Sequence, residues 1–303
     1  MKTILITAGG TSEPIDNIRS ITNTGTGALG SLIADRFARK KSVERIVYIH
    51  SRKAVLPKTR KAVLIEADST LDLQEAVRRA CKEYEPDAII HSMAVSDYKT
   101  GAVVKAEDLI KTALKIAGTA SSDELDKLAS EVIEERIRKA ATAEELAKAY
   151  DYLPDEPKKP AAGKKAKQAE SEALLKLAKK ADLRDRYNKI PSSAGDPIIL
   201  LEPTPKIIPE LRQLVPEAVI VGFKLLDEVP EGELLEVAKK LMEKNDCDLV
   251  LANDYQTVKE GAAQHVGHLM SRDGSVESFT GKPAIADGIA SAVDKLWKKE
   301  EQK

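Results

Sequence analysis

The residue types and spacings that could do chemistry concentrate in one early run, Thr7 to Gly30, T-A-G-G-T-S-E-P-I-D-N-I-R-S-I-T-N-T-G-T-G-A-L-G. It mixes glycines with Thr11, Glu13, Asp16, Arg19 and Asn23, and its end leads into a helical pattern. Loop amides and a helix N-terminus both favour negative charge, so the run predicts an anion site. Further polar groups stand at the ends of later apolar runs: His91-Ser92-Met93-Ala94-Val95-Ser96-Asp97-Tyr98, Thr204-Pro205-Lys206, Gly222-Phe223-Lys224 and Ala252-Asn253-Asp254. Open parallel sheets bind ligands beyond the carboxyl ends of their strands. Lys240 and Lys244, four apart, share a helix face. One exposed lysine is ordinarily solvated surface. Several cations and a glycine-rich loop at one sheet edge point to a polyanionic ligand.

Other readings of these residues compete. Gly25-Thr26-Gly27-Ala28-Leu29-Gly30 fits G-x-G-x-x-G, a dinucleotide fingerprint when it turns straight from strand into helix. Here the first apolar run ends near Thr7, well before Gly25, and the second ends in His50-Ser51-Arg52, with no acid for a ribose. Arg52 could meet a 2′-phosphate, which keeps an NADP-dependent reductase open. The bland alternative is glycines that merely permit a tight helix entry. Asp97 could hold Mg²⁺, a ribose hydroxyl or a lysine, or be a surface carboxylate. His91 reads as a satisfied strand-end histidine. His265 and His268, three apart in a hairpin, face opposite sides and read as structural. Cys81 and Cys247 make neither a metal spacing nor a disulfide framework. No residue is assigned as a metal ligand, and there is no P-loop, Gly-x-Ser-x-Gly elbow or His-Glu-x-x-His.

An alternating pattern supplies the elements that must position these groups. Strands are predicted over 2–7, 45–49, 62–65 and 88–91, and helices over 26–41 and from Ser69 or Thr70 to residue 84. The pattern resumes with a strand at 197–201, a helix from Pro205 to about Leu214 and a strand at 218–221. A helix over 231–244, a strand at 248–251, a hairpin at 265–270 and 275–279, and a closing helix over 283–298 complete it. Strands alternating with helices predict an α/β fold, a doubly wound, mostly parallel sheet with a small β hairpin or flap.

The expected organisation is a single α/β domain over 1–303, interrupted by a helical Ala/Lys/Glu-rich insertion at 103–186. Helical periodicity runs through 105–117, 122–139 and 142–150, then a breaker-rich linker at 154–163, then another helix at 167–185. Residues 158–180 carry eight Lys against two Glu, which reads as a solvated helical face or as a partner- or anion-binding arm.

Composition narrows the classes. The 303 residues are 42% hydrophobic but only 4% aromatic, so the core is built of Ile, Leu, Val and Ala. A net charge of −1 gives no pull toward nucleic acid or an anionic membrane. Met1-Lys2-Thr3 enters a strand directly, without a signal-peptide core, and no apolar run reaches the ~18 residues of a membrane span. A cytoplasmic protein without nucleic-acid or membrane partners is expected.

Together the motifs resemble a family, phosphopantothenate–cysteine ligase. The resemblance rests on T-A-G-G-T-S-E-P-I-D-x-x-R-x-I-T-N followed by T-G-x-L-G, then Met93 to Tyr98, Lys189-Ile190, Pro205-Lys206-Ile207, Val221 to Leu225 and Ala252-Asn253-Asp254, in order. It covers roughly 1–100 and 187–295. It implies a Rossmann-like fold, a homodimer and the standalone form, with no flavin-dependent decarboxylase domain before Met1. It implies amide formation in two steps. The carboxylate of 4′-phosphopantothenate attacks the α-phosphate of CTP or ATP with Mg²⁺, and the amine of cysteine then attacks the acyl-nucleotide. The bacterial style of the Ser-Asp-Tyr motif favours CTP. Asn23 matches the residue that holds the acyl-nucleotide, Arg19 a neighbour of it and Lys189 a lysine on a closing loop. Gly9, Gly10 and Thr11 match the phosphate region. Ala94, Asp97, Thr204, Pro205, Lys206, Ile207, Phe223, Lys240 and Lys244 match nucleotide-binding positions. The chain departs from the family in the 90 residues between Tyr98 and Lys189, where a few tens are usual. A third class, a non-catalytic protein working through 103–186, also remains open.

Overall fold

The structure, a computed structural model, describes residues 1–117, 175–176, 178–259 and 263–300. The helices expected at 122–139 and 142–150 and the linker at 154–163 lie outside the described residues. The chain divides into two compact units, residues 1–13, 21–98 and 203–303, and residues 14–20 and 99–202. The second is larger than the insertion expected at 103–186.

In chain order the strands are β1 (Lys2–Ala8), β2 (Ser12–Pro14), β3 (Ser20–Thr22), β4 (Val43–His50), β5 (Ala62–Glu66), β6 (Ala88–His91), β7 (Tyr98–Lys105), β8 (Pro197–Pro203), β9 (Val219–Leu226), β10 (Leu249–Asp254), β11 (Val266–Ser271) and β12 (Val276–Thr280). The first unit holds an eight-stranded sheet in the order β12-β11-β10-β9-β6-β1-β4-β5. Pairing is parallel from β5 to β10, and β11 and β12 add an antiparallel hairpin edge. This is the doubly wound α/β sheet that the strand–helix alternation predicts. Ile4, Leu5 and Ile6 of β1 are all fully buried, as a strand covered on both faces requires.

The helices are α1 (Ala28–Ala38), α2 (Thr70–Tyr84), α3 (Ala106–Ala117), α4 (Ile208–Leu214), α5 (Glu231–Asn245), α6 (Tyr255–Lys259) and α7 (Lys282–Glu300). Ile33 and Phe37 of α1 and Ile285, Ile289 and Val293 of α7 pack on Ile4, Ile6 and Ile46 on one sheet face. Leu73 and Val77 of α2, Leu211 of α4 and Leu234 and Ala238 of α5 pack on Leu5, Val47, Ile89 and Ile220 on the other. Burying each of these Ile, Leu, Val and Phe side chains contributes about 1.5–3 kcal/mol. Ser69 caps α2 in a capping box: its Oγ accepts from Asp72 N at 3.1 Å, and Asp72 Oδ2 accepts from Ser69 N at 3.0 Å.

Two expectations are corrected. Helix α4 begins at Ile208 with Pro209 in its first turn, not at Pro205. Thr204 N donates to Asp97 O at 3.1 Å and its hydroxyl to Ser96 O, which ties the chain ahead of Pro205 to the end of the Ser-Asp motif and delays the helix. The apolar run at 197–201 does not rejoin the large sheet; as β8 it pairs with β7.

In the second unit Val103 packs with Leu183, Ile190 and Ala194, and Ala102 and Val104 with Ala178. Helix α3 begins only at Ala106, because residues 103–105 belong to β7. Of the helix expected at 167–185, residues 167–174 and 177 lie outside the described residues, residues 175, 176 and 178 are helical, and the rest breaks into 3₁₀ turns at Lys179–Ala181 and Leu183–Asp185. Asp182 causes the break: its carboxylate accepts from Arg184 N at 3.0 Å and Val103 N at 3.2 Å, bonds an α-helix cannot offer it. No helix among the described residues is long and apolar enough to cross a membrane.

Candidate functional site

In the first unit the carboxyl ends of β1, β6, β9 and β10 border a cavity of about 880 Å³. Its floor is two strand ends zipped together. Ala94 N donates to Gly9 O at 2.9 Å, Thr11 N to Ala94 O at 3.0 Å, and Ser96 N to Thr11 Oγ1 at 2.8 Å. Asn23 closes onto this ladder. Its N–H donates to Thr11 O at 3.0 Å, and its Nδ2 to Ala94 O at 3.1 Å and Ser96 Oγ at 3.2 Å. The amide of Asn23 is thereby fixed in the cavity wall, with Oδ1 left without a partner among the described residues.

The glycine turn follows immediately. A Cβ on Gly25 would stand 2.5 Å from Gly9 O, so only glycine permits that backbone contact. Gly27, at φ +72°, is the left-handed residue from which α1 starts, without a side-chain cap. The open N-terminus of α1 and the turn Thr24 to Gly30 form one wall of the cavity. Lys206, Lys224, Lys240, Lys244 and Lys282 also line it, against the single carboxylate of Asp97. Asp97 and Lys206 form an ion pair, and both are largely exposed. Lys240 pairs with Glu236 at 2.6 Å on the solvent face of α5, a weak contact at that exposure.

Several cavity residues were read otherwise in the sequence. His91 and His265 both line it. Thr7 Oγ1 and His91 Nδ1 are 2.9 Å apart, and His265 Nε2 and Asn253 Nδ2 are 3.2 Å apart. Burial pushes the His91 imidazole down to about 4; burial, then the charge of Lys282, pushes His265 down to about 4. Both rings are therefore neutral at pH 7. The only sequence signal for His91 was its place as last residue of a central strand. Lys282 comes to the cavity only because α7 follows the hairpin back across the sheet.

Of the residues singled out in the sequence, Gly9, Asn23, Ala94, Asp97, Lys206, Phe223, Lys240 and Lys244 line this cavity. Gly10, Thr11 and Thr204 support its floor, through Gly10 N to Ser51 Oγ at 3.3 Å and the Thr11 and Thr204 bonds above. Pro205 follows Thr204, and Ile207 is buried in the apolar core beneath α4. Arg19 and Lys189 belong to the second unit. There the Arg19 guanidinium bonds Asp16 Oδ2 at 2.5 Å and Ile190 O at 3.0 Å, while Lys189 is exposed. Arg19 beside Asp16 holds that carboxyl well below the usual carboxylate range.

No cluster of three or more His, Cys, Asp or Glu side chains suited to a metal occurs among the described residues. The dinucleotide reading of Gly25 to Gly30 finds no support. Arg52, the candidate for a 2′-phosphate, is engaged by Glu66 at 3.2 Å and Asp68 at 3.0 Å.

Comparison with known proteins agrees with this fold. The family described as DNA/pantothenate metabolism flavoprotein C-terminal domain matches residues 1–151 and 161–296. The coenzyme A biosynthesis bifunctional protein CoaBC of Thermococcus kodakarensis is 27% identical over 273 residues, 90% of this chain and 45% of that protein. The chain spans less than half the length of the curated relatives it matches. The crystal structure of the DNA/pantothenate metabolism flavoprotein from Streptococcus pneumoniae superposes with a TM-score of 0.67 at 25% identity, over 98% of this chain and 100% of that one. A Cab2 variant in complex with phosphopantothenate-cysteine shares the fold at TM-score 0.59 and 15% identity, over 100% of this chain and 89% of that one.

Proposed function

The chain belongs to the family of DNA/pantothenate metabolism flavoprotein C-terminal domains, and from that premise we propose that it is a phosphopantothenate–cysteine ligase of coenzyme A biosynthesis. The observation that carries the reading is the charge of the cavity: five lysines and a helix N-terminus that starts from a glycine, against the carboxylate of Asp97 in the lining and that of Glu236 beside Lys240. Such a site favours polyanions, and a nucleoside triphosphate with a phosphorylated acid is strongly anionic. The name of the Thermococcus relative and the ligand of the Cab2 variant support the same chemistry.

In the first step the carboxylate of 4′-phosphopantothenate attacks the α-phosphate of CTP or ATP and pyrophosphate leaves. A carboxylate approaching a phosphate meets like charge, so cavity lysines that spread the negative charge lower the barrier. The glycine turn and Gly9, Gly10 and Thr11 seat the phosphates. Asn23, held rigid by Ala94 and Ser96, orients the acyl-nucleotide without itself titrating. In the second step the amine of L-cysteine attacks the acyl carbon and the nucleoside monophosphate leaves. Arg19 and Lys189 keep the roles that the resemblance implies for them, Arg19 as a neighbour of the acyl-nucleotide residue and Lys189 as a lysine on a closing loop. CTP is the favoured nucleotide, through an acyl-cytidylate, and the enzyme acts as a homodimer. The described residues offer Mg²⁺ no cage, since Asp97 is engaged by Lys206. Mg²⁺ bound to the triphosphate would neutralise part of its charge, and the cavity lysines would share that task.

The test is pyrophosphate release by the purified chain from CTP or ATP, with and without 4′-phosphopantothenate. Release that depends on the acid supports the reading; no release with either nucleotide defeats it.

A further inference from the structure

His91 is the last residue of β6 and stands in register with Thr7 of β1, at the centre of the sheet edge. It is more than nine-tenths buried and lines the cavity. Its proton can be placed by counting hydrogen bonds. The Thr7 side chain is fully buried. Thr7 Oγ1 accepts from Met93 N at 3.3 Å, and the acceptor within reach of its own hydrogen is His91 Nδ1 at 2.9 Å. If Nδ1 carried the proton instead, the buried Thr7 hydroxyl would have no acceptor, at a cost of about 1–3 kcal/mol. Nδ1 is therefore the acceptor, and the neutral ring carries its hydrogen on Nε2. No described residue bonds Nε2.

The surroundings identify the ligand class. The next residue, Ser92, has its hydroxyl 2.9 Å from where a Cβ on Gly30 would stand, so the end of β6 packs against the first turn of α1. We propose that His91 is a ligand-binding residue of this cavity, its Nε2–H donating a hydrogen bond to a phosphoryl oxygen of a polyanion seated at the N-terminus of α1. The inference rests on the reading of the cavity as a nucleoside triphosphate site. Burial keeps the ring neutral, so it supplies a directed donor where the lysines supply diffuse charge.

The test uses the full chain and three probes, CTP, ATP and inorganic pyrophosphate, each titrated calorimetrically. His91→Leu should bind about ten- to a hundredfold more weakly, the loss of one hydrogen bond to a charged acceptor. His91→Gln, which keeps an N–H donor, should recover part of that loss. Nitrogen-15 spectra of the histidine rings in the unaltered chain should show an Nε2–H ring whose Nε2 resonance moves when the tightest probe is added. If the unaltered chain binds none of the probes, the triphosphate reading and this inference fall together. If it binds and a folded His91→Leu binds equally well, this inference alone falls. An unmoved Nε2 resonance overturns it too, whatever the variants do, because weaker binding without that shift is what a purely structural histidine would give.

Discussion

Acid should destabilise this protein well above the carboxylate range, and His91 is the reason. Its imidazole is lowered from an ordinary 6.5 to about 4 in the folded chain by burial. The unfolded chain therefore takes up this proton first as pH falls. Stability from this group is complete above about pH 6.5, falls between there and about pH 4, and then levels. At pH 5 the unfolded ring is almost wholly protonated and the folded one only slightly, which costs about 2 kcal/mol by linkage. His265 shifts in the same direction and adds to the loss. Asp16, depressed by Arg19, acts in the same direction over a lower window: its contribution is present above the ordinary value of 3.8 and is lost only as pH falls below it. A comparison of pH 7 with pH 5 therefore isolates the histidines. Urea unfolding at both values should show a loss in the unaltered chain that is about 2 kcal/mol smaller in His91→Asn. Equal losses in the two proteins would refute the buried neutral imidazole.

Other substitutions test the cavity. Gly25→Ala drives a Cβ to 2.5 Å from a backbone oxygen that cannot swing away, so it should cost about 1–3 kcal/mol in urea unfolding; an unchanged midpoint would contradict the close packing. Asn23→Ala should cost roughly 1 kcal/mol in stability but most of the turnover, read as kcat for pyrophosphate release; unchanged turnover would remove Asn23 from its proposed role. Lys189→Ala should lower the same rate on the order of 10²-fold, as loss of a charge-stabilising donor does. A rate near that of the unaltered chain would exclude it.

The sheet was legible because its strands are continuous apolar runs: Ile4-Leu5-Ile6 and Ala88-Ile89-Ile90 admit little else when flanked by helix signals. The cap at Ser69 was legible for the same local reason. The run Pro197 to Leu201 was misplaced, because apolar content alone does not tell a core strand from one in a half-exposed pair. Pro205 misled because the bonds that delay α4 come from Ser96 and Asp97, far away in sequence. The distance in sequence between β1 and Gly25 argued against the dinucleotide fingerprint but did not show where the turn stands. The chain in fact returns after Thr22, and Gly25 packs on Gly9, so the excursion leaves the turn at the strand end. The two cavity histidines were illegible, since burial and tautomer are set by Thr7, Asn253 and Lys282 through tertiary packing.

The most direct test of the ligase reading measures pyrophosphate and condensation product together, with 4′-phosphopantothenate, L-cysteine, Mg²⁺ and either CTP or ATP. A ligase releases pyrophosphate only with the phosphorylated acid present and forms an amide product only when cysteine is added. Pyrophosphate release without the acid, or no amide with either nucleotide, would contradict the ligase reading.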